Sequence, residues 1–191
     1  MAGEPATLQI KVTLDGIRPP IWRRLVVQGD ATLAQLHDVL QVAMGWENGH
    51  LHCFRIDGAR YGPADDGGFD LGEIDESTVR VVEAFATSRR GTYEYDFGDS
   101  WEHQLLVEKT DVPIIPSAIA TCTVGKRSCP PEDCGGIFGY ANLLEAVADP
   151  THEEHDELLE WLGGNFDPEA FEVEVVNAAL ERIPRRSRRA R

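Results

Sequence analysis

No stretch of the 191 residues approaches the ~20 apolar residues that a membrane helix needs, which excludes a helical membrane span. The first residues, MAGEPAT, lack a basic segment followed by an apolar run. A secretory leader is therefore not expected, and the cytoplasm is the expected location. Serine is absent from the first 76 residues. Basic side chains are scarce, with 18 Lys and Arg against 33 Asp and Glu. Six of those 18 lie in the last ten positions, at Arg182, Arg185, Arg186, Arg188, Arg189 and Arg191. Residues 1–181 therefore carry a net charge of −21 and the tail carries +6. A body this acidic repels a phosphate backbone, so nucleic acid is expected to bind weakly at most, through the tail. Cysteine is limited to Cys53, Cys122, Cys129 and Cys134, which a cytoplasmic location keeps reduced.

What is present is enough for a core. Apolar residues make up 42% of the chain, and its length suits one domain. Leu8, Ile10, Val12 and Leu14 alternate with Gln9, Lys11 and Thr13, the pattern of a half-buried strand. Asp15-Gly16 marks a turn, and Ile21 to Val27 alternates again, so the two segments are expected to pair. Thr32 and Gln35 form a capping box ahead of Leu33, Leu36, Leu40, Ala43 and Met44 at helical spacing, and Gly45 ends the helix. A strand over Leu51 to Ile56, a turn at Asp57-Gly58 and an extended Arg60-Tyr61 follow. Hairpin, helix, strand, turn, strand is the order of a β-grasp unit.

Residues 62–78 read as a loop, and Val79 to Ala86 fits strand or helix. Tyr93 to Phe97 and Trp101 to Val107 form a second hairpin around Gly98-Asp99. Residues 111–137 hold four prolines and three cysteines and are expected to be irregular. Three helices close the chain: Tyr140 to Val147, a helix capped by Thr151 and Glu154 running through Leu162, and one opened by Asp167-Pro168. The expected architecture is α+β: a β-grasp-like N-terminal half with a second hairpin and C-terminal helices packed on it. One domain spans residues 6–181, and residues 182–191 form a basic, unstructured tail.

Several uncommon words stand along the chain. They are Ile17 to Arg24 (IRPPIWRR), Thr32 to Trp46 with His50-Leu51-His52, Tyr95 to His103 (YDFGDSWEH), and Cys129 to Gly136 (CPPEDCGG) with Gly139-Tyr140. Trp161 to Gly164 and Phe166 to Glu169 complete the set. Together they resemble the plasmid pRiA4b open-reading-frame-three-like family over roughly residues 6–181. The resemblance implies an association with plasmids and insertion elements, where some members carry a TnpR resolvase label, but no reaction. Recombinase chemistry has no support in the residues themselves. A serine recombinase needs an activated serine among basic groups that hold the phosphate. The long serine-free segment and the acidic body supply neither.

Asp96, Asp99 and His103 gather beside Trp101 on the second hairpin, and a carboxylate orienting an imidazole is a common acid–base pair. Asp96-Phe97-Gly98 is not a kinase word here, because the phosphate loop, strand lysine and catalytic loop are missing. A polar network pinning the hairpin explains the same residues without chemistry. His50 and His52, two apart on an expected strand, share a face and suit a metal. Cys122, Cys129 and Cys134 offer three thiolates for zinc, but at looser spacing than paired zinc knuckles, and no metal or other cofactor is favoured. His152 and His155 are three apart, which fails the zinc-protease spacing of four. The segment from Cys129 to Gly136 presents Glu132 and Asp133 between two prolines and two glycines, a rigid polar loop of the kind that binds.

The preferred reading is a non-enzymatic binding or regulatory module acting through a protein partner, with Trp101, Asp99, Glu132 and Asp133 on its surface. The alternatives are a metal-dependent or acid–base hydrolytic enzyme using His103 with Asp96 or Asp99, and an accessory DNA-transaction protein using the arginine tail.

Overall fold

Alternation builds the first two strands, β1 (Thr7–Leu14) and β2 (Trp22–Gln28), which pair antiparallel with Leu8 opposite Val27 and Val12 opposite Arg23. Leu8, Ile10, Val12 and Leu14 all point into the core. Burying each such side chain contributes about 1.5–3 kcal/mol. The computed structural model describes residues 6–64, 72–113 and 118–184. Most of the arginine tail and part of the glycine-rich loop after Gly62 lie outside the described residues.

Helix α1 (Leu33–Met44) follows, and both of its ends form as expected. The Gln35 N–H donates to Thr32 Oγ1 at 3.2 Å, and the Thr32 N–H donates to Gln35 Oε1 at 3.1 Å. Gly45 stops the helix at φ 90°, a left-handed conformation that glycine adopts at little cost. Leu33, Leu36, Val39, Leu40 and Ala43 share one core with the inward residues of β1 and β2.

The sheet is completed by β3 (His52–Ile56), β4 (Ala59–Gly62), β5 (Ile74–Asp75), β6 (Arg90–Tyr95), β7 (Trp101–Thr110) and β8 (Ala120–Lys126). Its eight strands run in the order β5-β4-β3-β6-β7-β1-β2-β8. All pairings are antiparallel except β4 with β5. The second hairpin, β6–β7, lies inside the sheet, between β3 and β1. One sheet face packs on α1. The other carries polar pairs, such as Arg24 with Glu108 and Arg55 with Glu94, both at 2.6 Å.

The short α2 (Val81–Ala84) resolves the segment read as strand or helix. The later helices are α3 (Gly136–Ala148), α4 (His155–Trp161) and α5 (Val173–Leu180). Two of them begin later than their sequence signals. Thr151 Oγ1 donates to Asp149 Oδ1 at 2.7 Å instead of capping, so α4 starts at His155. Asp167 Oδ1 accepts from the Glu169 N–H at 2.9 Å, closing a turn ahead of α5. The segment expected to be wholly irregular contains β8, an edge strand partly covered by α5. Asn177 accepts from the Cys122 N–H at 2.7 Å and donates to its carbonyl at 3.0 Å. The molecule is thus a mixed α+β fold, and no helix among the described residues is long and apolar enough to cross a membrane.

Candidate functional site

The chain leaves α1 through Gly45 and places Trp46 under three other segments. Trp46 Nε1 donates to the Pro130 carbonyl at 2.9 Å. Its ring stacks on Tyr95 at 5.0 Å and meets the edge of His103 at 5.1 Å. Tyr95, at the end of β6, accepts from the Gly49 N–H at 3.0 Å and donates to Glu132 Oε1 at 3.0 Å. Glu132 Oε1 also accepts from the Glu47 N–H at 2.7 Å. Burial first, then the Glu132 carboxylate, pushes the Tyr95 phenol up to about 12, so it stays a donor. These bonds tie the segment after α1 to the proline-stiffened loop.

Above this support sits His50. Its Nδ1 is 3.7 Å from Asp96 Oδ1, and its Nε2 is 3.2 Å from Asp133 Oδ1 and 3.6 Å from Glu132 Oε2. Asp96 is held by the Gly98 N–H at 2.9 Å. Asp96 and Asp133 both hold left-handed backbone, at φ 55° and 56°, which aspartate tolerates better than most residues.

The hairpin turn and the proline loop also meet directly. Asp99 Oδ2 accepts from the Gly135 N–H at 3.1 Å. A Cβ on Gly136 would stand 2.7 Å from the Asp99 carbonyl oxygen, so a glycine is needed for this approach. The chain thus brings Asp96, Asp99, Glu132 and Asp133 to adjoining segments.

Trp101 and His103 lie elsewhere than on that surface. Both are on the inward face of β7, where alternation also buries Leu105 and Val107. Trp101 is 1% exposed and packs beside Trp46, beneath the rim formed by Asp96, Asp99, Glu132 and Asp133, so it offers a ligand no surface. His103 is wholly buried, and its Nδ1 donates to the Tyr93 carbonyl at 3.1 Å. Its Nε2 has no hydrogen-bond partner among the described residues. Burial lowers its pKa to about 4, so the ring is neutral at pH 7.

His50 and His52 do not share a surface. The strand begins only at His52, whose Nε2 is 2.9 Å from Glu76 and whose ring stacks on His37. The cysteines have separate surroundings. Cys122 Sγ lies 3.7 Å from the Val124 carbonyl, and Cys129 Sγ lies between Arg23 and Met44. Burial pushes Cys129 up to about 11. Burial, then Asp99, pushes Cys134 up to about 12, so both remain thiols at neutral pH. Trp46, Tyr95 and His37 entered the sequence reading only inside longer words, with no role of their own.

Comparison with known proteins agrees with the words in the sequence. The chain is 40% identical over 179 residues to an uncharacterised protein, y4hQ, of Sinorhizobium fredii (strain NBRC 101917 / NGR234), covering 92% of this chain and 91% of that one. The fold is similar to the crystal structure of a protein of unknown function, MM3350, from Methanosarcina mazei Go1, with a TM-score of 0.81 and 34% identity. That match covers 88% of this chain and 96% of the other. The family model described as plasmid pRiA4b ORF-3-like protein matches residues 6–175, and the chain belongs to that family.

Proposed function

We propose that this protein is a non-enzymatic binding module that engages a protein partner through the acidic end formed by the hairpin turn and the start of α3. The observation that carries the reading is a cleft of about 510 Å³ between these segments. Asp15, Asp99 and Glu102 line it together with Gly16 and Gly98, and Phe138 stands at its edge, 89% exposed. No basic residue is among its described lining residues, and the one ion pair of Glu102 among the described residues is with Arg55, at 3.8 Å. Carboxylates beside an exposed aromatic ring suit a basic peptide carrying an apolar side chain. The same charge disfavours a nucleic-acid backbone.

Two further observations fit. His103 has no exposed surface, and its Nδ1 rests on a backbone carbonyl, which favours a structural role over acid–base catalysis. The four cysteines are free, in keeping with a reducing, cytoplasmic setting. A family named for a plasmid reading frame supports a partner encoded on plasmids or mobile elements.

Fluorescence anisotropy with a dye-labelled peptide of alternating arginine and leucine tests the reading. Binding should weaken with salt and fall at least tenfold in a Glu102→Gln, Phe138→Ser double variant of unchanged melting temperature. Equal binding by the double variant overturns the assignment, as does tighter binding of duplex DNA at physiological salt.

A further inference from the structure

Three carboxylates surround one imidazole at the rim, and this imbalance points beyond a peptide surface. We infer that His50, Asp96 and Asp133 form a binding site for a divalent first-row transition metal ion.

Each of the three offers one ligand atom, and these atoms all lie within 4.8 Å of one another. Metal–ligand bonds of about 2.0–2.2 Å need ligand atoms roughly 3–4 Å apart, so the site is a small contraction from a coordination shell. The side chain that must move is Asp133, which is 71% exposed and free to do so. Asp96 is the fixed ligand, buried and held by the Gly98 N–H.

The charge argument is independent of the distances. Elsewhere each shielded carboxylate has a basic partner of its own: Glu108 has Arg24, Glu94 has Arg55, Glu73 has Arg60 and Glu76 has His52. No arginine or lysine among the described residues pairs with Asp96, Glu132 or Asp133, and the three share one imidazole, that of His50. Even a protonated imidazole leaves two negative charges unbalanced, and a divalent cation supplies that balance.

The donor set selects the metal. An imidazole nitrogen with carboxylate oxygens suits zinc or manganese better than the all-oxygen shells of calcium and magnesium. Glu132, whose Oε1 is occupied by Glu47 and Tyr95, acts as a positioning residue beside His50. The exposed side of the site leaves coordination positions for water. The inference uses three segments that the metal would join: the one after α1, the hairpin turn and the proline loop. It does not depend on the cleft's having a peptide partner.

Isothermal titration of the chelator-treated full chain with zinc and with manganese, paired with thermal melting, provides the test. Wild type should take up one equivalent of at least one of the two metals, with a rise in melting temperature. His50→Ala should lose at least tenfold in affinity and lose the thermal rise. Asp133→Asn should do the same while its metal-free melting temperature matches wild type, which separates ligand loss from misfolding. Absence of stoichiometric uptake of both metals at 100 μM overturns the assignment. So does uptake that His50→Ala and Asp133→Asn leave unchanged. The peptide titration, run with chelator present, fails or succeeds separately.

Discussion

The imidazole rings of His37 and His52 lie face to face, with centroids 3.5 Å apart and planes 6° from parallel. His37 belongs to a closed chain of bonds in which Gln41 Nε2 donates to the Tyr93 hydroxyl at 2.9 Å. That hydroxyl lies 2.8 Å from His37 Nδ1, and His37 Nε2 lies 2.6 Å from Asn48 Oδ1. The chain closes only if His37 is neutral, with its proton on Nε2 and Nδ1 accepting from Tyr93. Burial, then the neighbouring His52, lowers the His37 pKa to about 3, against the hydrogen bond to Asn48. The unfolded chain therefore binds a proton near pH 6.5 that the folded chain refuses until about pH 3. Stability from this group is complete above pH 6.5 and is lost as pH falls towards 3. Urea midpoints measured from pH 7 to pH 4 should fall, and His37→Gln should flatten that slope.

Arg23 is 2% exposed, and no carboxylate among the described residues pairs with it. It donates to the carbonyls of Ala43, Lys126 and Arg127, each at 2.8 Å, and to that of Trp22 at 3.0 Å. Its guanidinium lies 4.1 Å over the Phe171 ring. Ala43 is in the last turn of α1, where a cation also complements the helix dipole. A single ammonium cannot span these acceptors. Arg23→Met should cost at least about 3 kcal/mol by urea unfolding, since buried carbonyls lose their donors. Arg23→Lys should recover only part of that.

Gly136 combines a positive φ of 67° with the close approach to Asp99. Gly136→Ala should lower stability by about 1–3 kcal/mol. Gly139→Ala should be worse, because its Cβ would overlap the Cys134 carbonyl oxygen. Thermal melts of both variants check the order.

The capping box at the start of α1 gives a milder test. Thr32→Ala should cost about 1 kcal/mol without changing the fold. A loss of that size in the urea midpoint, with the circular dichroism spectrum unchanged, is the expected outcome.

Local signals account for what could be read in advance. Helix α1 was legible at both ends because Thr32, Gln35 and Gly45 act through neighbours a few residues away. β1 and β2 were legible because their inward faces alternate. β8 was hidden because its inward residues are small, Ala120 and Cys122, and lie among prolines and cysteines. Thr151 and Asp167 misled because the same side chains that cap helices also close turns. At the site, the acidic words were visible as turn and loop chemistry. The pairing of His50 with Asp133 joins residues 83 positions apart, and no periodicity announces it. Trp46 and Tyr95 look like ordinary core aromatics until the fold places them beneath Glu132.

The position of β6 and β7 between β3 and β1 has a consequence for synthesis on the ribosome. A nascent chain that has emerged only to about residue 88 holds β1 and β3 with no strand between them. Each then presents an unpaired backbone edge, able to pair with another molecule. The sheet closes only when residues 90–110 arrive to fill the gap. The N-terminal half is therefore not a separable folding unit, and a fragment that stops before Arg90 should aggregate rather than fold.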